Sequence, residues 1–370
     1  MSWYVVILFF LFILIGFDYL GHTRRINMDN LIILVCAMVL FFFMGCRSVT
    51  VGADTIQYVH GFRQICNTDF LDLFTINVYG FGWGYELHFE YGYRVFNKLV
   101  SYISQSEQAI LFSTSLLIIV LLIVLIKNQS IYPYLSIWLY VTLGIFQTQM
   151  NMIRNAIAIL ICYLGFHYLK ERKLLKYLLC VLIGMIFHVS AIVFIPLYWV
   201  VNCVKLTPKI VWSILIIAVL FGFGFAIIRS YIITVLPFGF GSYFQEETTR
   251  FEGLAVGVFH FLILLFTWFT MDCSEKTKIV KDEIIGIWTF VAEIFFFCVG
   301  YEVAAATRMA ALFGPYLLIL IPNLIGKGIK NASKRSIVIA MLMLFTGLQY
   351  ILRLTINNIG ATMPYQFFWY

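Results

Sequence analysis

Charge is what this sequence has least of: only 12% of its 370 residues are Asp, Glu, Lys or Arg, while 62% are hydrophobic and the mean hydropathy is +0.94. So little polar surface cannot cover a water-soluble globule, which leaves a polytopic helical membrane protein. The signatures of several chemistries are missing too. No G-x-x-x-x-G-K-[ST] phosphate loop, H-E-x-x-H zinc motif or G-x-S-x-G nucleophile elbow occurs, so ATP-driven transport, zincin proteolysis and serine hydrolysis lose their usual marks. The eight cysteines show no C-x-x-C spacing, which argues against a disulfide framework and a zinc site, with a Cys46–Cys66 pair as the alternative. No internal repeat and no low-complexity segment is visible. A net charge of +7 would suggest nucleic acid in a soluble protein; here it reports topology, and no nucleic-acid partner is expected.

What is present is apolar length. Runs able to span a bilayer occur near residues 3–20, 30–46, 109–126, 131–146, 153–169, 210–228, 254–271, 284–299, 309–325 and 337–352. The first has no positive n-region and no small-residue cleavage site, so it is expected to be a retained transmembrane helix. The interval 174–201 is long for one helix and short for two, with Phe187, His188, Val189 and Ser190 at its middle. Loop charge decides between them. Crossing twice there puts every lysine-rich loop on the cytoplasmic side, holding 16 of the 25 positive residues, and both termini outside. The expectation is therefore an all-α single integral membrane domain, residues 1–370, with about 12 transmembrane segments. Its half-buried hairpin tip at His188 lies below the outer surface.

The other nine positive residues are Arg47, Arg63, Arg94, Lys98, Arg154, Arg229, Arg250, Arg308 and Arg353, all arginine but one. Lysine suffices to anchor a membrane face, whereas the guanidinium fork suits phosphate or carboxylate. The alternative is that these arginines pair with outer acids such as Asp54, Glu90, Glu246 and Glu252. Arg154 stands out. It lies in QTQMNMIRNAIA, residues 147–158, among otherwise apolar sequence and with no acid nearby. An arginine at membrane depth costs about 2.5–3.5 kcal/mol on insertion scales, so by default it marks a functional site, and the group it serves is expected to be anionic. Glu293 is the other buried charge, and its simplest role is to neutralise an arginine.

The largest outer loop, residues 47–108, opens with Gly52, Asp54 as a plausible N-cap, and Tyr58 and Phe62 at helical spacing, predicting a short surface helix. It continues into alternating glycines and aromatics, residues 80–93, read either as an interfacial belt or as a platform for sugar rings. From Arg94, Phe96, Leu99, Val100 and Ile103 predict a helix lying on the membrane surface. A second outer loop, 229–252, is either a connector or a lid. The third, 300–308, places Arg308 at the start of an apolar helix, where the dipole reinforces an anion site. Arginines, acids, a histidine and aromatics thus converge on the outer side, as a lipid-linked anionic substrate carrying sugar would require.

In order along the chain, Arg47, Gly52, Asp54, Thr55 and Tyr58; Glu90, Gly92 and Tyr93; Asn151, Ile153, Arg154, Ile157 and Ala158; Phe187, His188, Ser190 and Ala191; and Arg308 resemble the pattern of the EpsG family. The resemblance implies a Wzy-type polymerase of O-antigen or exopolysaccharide, a GT-C-like, inverting glycosyltransferase in the bacterial cytoplasmic membrane with its site facing the periplasm or exterior. It implies a glycan donor on undecaprenyl pyrophosphate and a lipid-linked repeat unit as acceptor, with membrane lipid around the chain and a chain-length regulator as a further partner. No cofactor and no metal is called for. Such a reaction needs a cationic cradle for the pyrophosphate, a base for the acceptor hydroxyl, and exclusion of water. Arg47, Arg154 and Arg308, with Asn151 and Tyr58, are the expected binding residues. Asp54, then Glu90, is the expected base, with His188 positioning the substrate; His188 is the rival base, since imidazole titrates near neutral pH. A flippase of similar lipid-linked sugars and a ligase using the same donor remain alternatives.

Overall fold

The computed structural model describes residues 2–23, 29–82, 86–235, 250–301 and 303–370. It is 79% helix and contains, among the described residues, no strand. Each apolar run carries helix, for in hydrocarbon the backbone must satisfy its own hydrogen bonds. The first two runs are α1 (Ser2–Thr23) and α2 (Asp29–Gly45). The long segment after α2 holds α3 (Thr55–Cys66) and α4 (Tyr91–Ile103), and α5 (Glu107–Gln129) follows. Then come α6 (Pro133–Thr142), α7 (Ile145–Asn151), α8 (Ile153–Leu164), α9 (Phe166–Lys170), α10 (Leu174–Phe187) and α11 (Leu197–Cys203). The chain continues through α12 (Pro208–Val235), α13 (Arg250–Thr270), α14 (Lys276–Asp282) and α15 (Ile284–Gly300). It ends with α16 (Ala304–Phe313), α17 (Leu317–Gly328) and α18 (Ala332–Ile356). Among the described residues five helical stretches are long and apolar enough to cross a membrane, or six if α14 and α15, bent by 83°, form one broken span. Further apolar stretches among the described residues, such as Asn30–Gly45 and Leu174–Phe187, are shorter than a full span.

By its internal contacts the chain divides into two compact units. The first holds residues 1–129, 133–198 and 343–370. Its most broken part is the polar stretch 147–158. Gly144, at φ +76°, ends α6 in a left-handed turn that L side chains rarely adopt, and Arg353 donates to the carbonyl of Leu143 (3.2 Å), one of those the turn leaves open. Met152 breaks the helix again before α8. Each buried amide between the breaks makes at least one side-chain hydrogen bond, while Gln147 Oε1 and Gln149 Nε2 are buried without a protein partner. Tyr140 donates to Gln149 (2.9 Å), Gln147 donates to Tyr350, and Asn151 donates to the carbonyl of Gly360 (2.6 Å).

In the long segment after α2, α3 buries Tyr58 and Phe62, as expected. Helix α4 turns most of its apolar side away from the protein, the side a helix lying on a membrane surface presents to lipid. It buries Arg94, Asn97, Lys98 and Ser101 and exposes Tyr91, Leu99, Tyr102 and Ile103; of the expected apolar face, Val100 points inward. The inward cations hold backbone: Arg94 donates to the carbonyls of Leu73, Ile76 and Phe89 (2.6–2.9 Å), and Lys98 to that of Cys66 (3.2 Å). Gln64 clamps both backbone groups of Tyr79. Cys46 and Cys66 are both free thiols, so no bridge joins them.

The second unit holds residues 130–132 and 199–342. Glu283 ties Lys327 (2.5 Å) and Asn323 (3.3 Å), and Asp272 ties Lys334 (3.3 Å), so two of the lysine-rich loops lie side by side. Among the described residues Glu293 pairs with no arginine. It meets His260 Nδ1 at 2.7 Å, with Gly314 so close that a Cβ there would overlap its carboxylate. Helices α12, α13 and α15 line an apolar cavity of about 430 Å³ that includes Trp212, Phe223, Phe261 and Phe297.

Candidate functional site

Three segments of the first unit converge. Helices α8 and α10 run antiparallel in close contact, with Gly184 against Ala158 and Cys162, and Gly165 against Cys180. This register sets the end of α10 beside the start of α8, hence His188 beside Arg154. Helix α10 stops at His188, as the sequence predicts, with the backbone there extended (φ −158°, ψ 123°). The return limb differs from the expected second helix: residues 189–194 form a 3₁₀ helix and α11 has only seven residues. Pro196 between them has no N–H to continue a helix.

The start of α4 docks onto the end of α10 through Gly92. A Cβ there would lie 2.0 Å from Ile186 Cγ2 and 2.8 Å from the Ile186 carbonyl oxygen. Only glycine permits the approach, and it delivers Glu90, the N-cap residue of α4, to the hairpin tip. Glu90 makes no capping bond. Its Oε1 meets His188 Nδ1 at 2.6 Å and accepts the Val189 amide at 3.2 Å, while its Oε2 accepts Arg154 Nη1. The same Nη1 donates to the His88 carbonyl (2.6 Å), and the guanidinium lies over Phe89, 5.0 Å from the ring centroid. Tyr58 stacks on Phe89 and accepts a hydrogen bond from Arg154, and Tyr93 packs edge-on against both rings. Burial alone would raise the Glu90 carboxyl, but the His188 hydrogen bond and the Arg154 charge outweigh it and hold the group below its ordinary range. Burial pushes the Tyr58 phenol up, against the pull of Arg154, so it stays protonated.

The other expected residues sit differently. Asp54 is at the N-cap position of α3, exposed, with no side-chain capping bond. Its amide approaches Asn151 Oδ1 (3.5 Å), so Asn151 joins the start of α3 to the C-terminal turn at Gly360. Arg47 is wholly buried and spends its guanidinium on the carbonyls of Met44 and Met150 (3.0 Å to the latter), an internal tie and not part of an open cradle. Arg308 is an exposed residue of α16 in the second unit, the fifth of that helix and not its first. The side chains of Arg229, Arg250 and Glu252, with Glu246 and most of the loop 229–252, lie outside the described residues.

Sequence reasoning missed Phe89, the His88 carbonyl and the Val189 amide, of which only the aromatic leaves a trace in the sequence. It also missed that Arg47, Arg94 and Arg353 close backbone carbonyls, whereas the alternative of pairing with acids holds for Arg63 on Glu107 and Arg154 on Glu90. Among the described residues no three His, Cys, Asp or Glu side chains gather as a metal site would require.

No curated protein and no solved structure matches the chain significantly. The model of the EpsG family matches residues 30–367, nearly its whole length, and the protein belongs to that family.

Proposed function

We propose that this chain is the polymerase of a bacterial polysaccharide. Membership of the EpsG family suggests a polymerase-type function in exopolysaccharide or O-antigen synthesis. The finer reading is ours: glycan is transferred with inversion from an undecaprenyl-pyrophosphate donor to the non-reducing hydroxyl of a lipid-linked repeat unit, in a GT-C-like chain crossing the cytoplasmic membrane twelve times. The site faces outward.

The observation that carries this reading is the convergence of Glu90, Arg154 and His188, from three segments distant in sequence, at a partly open hairpin tip whose polar side chains are 17–25% exposed. Charged groups gathered at such a cost in desolvation are candidates for chemistry. Arg154 Nε is buried without a protein partner and is free to donate to a phosphate oxygen. Tyr58 lies beside it, and Asn151 and Arg308 are further candidates for binding the substrate. Arg47, enclosed by its carbonyl ligands, leaves the list. The proton acceptor is one of Asp54, Glu90 and His188.

The experiment is to reconstitute the purified chain in liposomes with lipid-linked repeat units. Longer lipid-linked glycan supports the polymerase, movement across the bilayer without elongation supports a flippase, and transfer to a different acceptor supports a ligase.

A further inference from the structure

We infer that Glu90 is a positioning residue and that the proton acceptor of the site is Nε2 of His188. The assignment rests on the polymerase reading above and reverses the order that the sequence suggests. Both Glu90 oxygens are engaged: Oε1 by His188 Nδ1 (2.6 Å) and the Val189 amide (3.2 Å), Oε2 by Arg154. Three of its about four lone-pair sites are thus taken, and the fourth lies on Oε2, the oxygen whose basicity the Arg154 charge lowers. An amide N–H and a guanidinium can only donate, so the carboxylate they bind is ionised, and the ring nitrogen that meets it at 2.6 Å must donate as well. The proton on Nδ1 leaves the lone pair on Nε2. Because the Val189 amide binds the same oxygen, the ring and the backbone at the tip are held together, as an orienting acid holds a histidine base in other folds.

The step balances without a further reactant. The acceptor hydroxyl gives its proton to Nε2 as its oxygen forms the bond to the anomeric carbon. The bond from that carbon to the pyrophosphate oxygen breaks, and its electron pair leaves on the lipid pyrophosphate. Glu90 stabilises the imidazolium until Nε2 releases the proton to water. The charged groups on elements packed against the tip are few. Arg94 and Lys98 of α4 are turned onto backbone carbonyls. Lys176 and Tyr177 belong to the first turn of α10 and His167 and Lys170 to α9, beyond the far end of α8, and the Cys162 and Cys180 thiols lie between. Among the described residues Glu90 meets the ring, Arg154 reaches it through Glu90, and His88, paired with Glu86 at 3.6 Å, holds Arg154 through its carbonyl.

The test uses lipid-linked oligosaccharide extracted from a producing strain that lacks this chain, with elongation followed against pH. Glu90→Gln keeps an oxygen for Nδ1–H but removes the charge that favours the imidazolium. The expected result is slower elongation whose acid limb moves to lower pH. His188→Ala is expected to lose about 10²–10⁴-fold at every pH, the range for a positioned base. Elongation by His188→Ala within about tenfold of the wild-type rate overturns the assignment. The ¹⁵N resonances of His188 in the wild-type protein give a readout independent of turnover. An Nδ1–H tautomer is expected, and an Nε2–H tautomer overturns the inference even if the chain polymerises. Failure of the wild type to elongate any lipid-linked glycan, with the Nδ1–H tautomer present, would instead bring down the polymerase reading and with it the role of base.

Discussion

Arg154 and Glu90 stand 64 residues apart in the chain and form a single ion pair, each side chain 17–18% exposed, in which one guanidinium nitrogen serves both the carboxylate and the His88 carbonyl. The start of α4 is thereby fixed to the first turn of α8. Arg154→Lys keeps the charge but not the fork, so it should retain membrane insertion and lose elongation at least tenfold. Arg154→Ala leaves Glu90 unmatched, which costs about 3–5 kcal/mol for a fully buried pair and less here because of the residual exposure. Thermal unfolding in detergent measures the second effect, and elongation by folded protein the first.

Gly92 sets how far Glu90 reaches. Gly92→Ala should destabilise by about 1–3 kcal/mol and retract Glu90 from His188. Ile186→Ala in the same chain should not rescue it, because the Ile186 carbonyl oxygen, 2.8 Å from the new Cβ, remains. Recovery of elongation in the double variant contradicts the docking argument.

The lowered Glu90 carboxyl has a consequence for acid stability. A depressed folded-state value contributes stability that is fully present above the unfolded carboxyl's pKa, about 4.3, and is lost as pH falls through the lower folded value. Stability should be insensitive to this group near neutrality and should fall below about pH 4. Unfolding midpoints measured from pH 7 to pH 3 should drop less for Glu90→Gln than for wild type.

The lysine partition predicts sidedness. Cys273 is exposed, near the loop of Lys276, Lys278 and Lys281. A membrane-impermeant maleimide should reach it from the cytoplasmic side only, and should reach an Asp69→Cys variant in the outer loop from outside. Labelling of Cys273 from outside alone would falsify the proposed topology.

Much of the helical layout was legible because apolar length leaves the backbone no alternative in lipid. The hairpin tip at His188 was legible for a related reason: a histidine and a serine interrupt 28 apolar-rich residues. The return limb was not, since Pro196 acts through one missing N–H that a hydropathy reading does not weigh. Arg47, Arg94 and Arg353 were misjudged because a guanidinium that closes backbone carbonyls and one that binds an anion look the same in sequence. Nor could Glu90 be matched with Arg154 and His188, for their meeting depends on the Gly92 contact with Ile186 and on the antiparallel register of α8 and α10.

The central claim is that Glu90 and His188 act as one unit in glycan elongation, and a double-mutant cycle tests it most directly. Elongation rates would be measured for wild type, Glu90→Ala, His188→Ala and the double variant, each confirmed as folded in liposomes. If Glu90 works only through His188, the double variant should be no slower than His188→Ala alone. Losses that multiply, with the double variant slower by the product of the two single effects, would contradict the account.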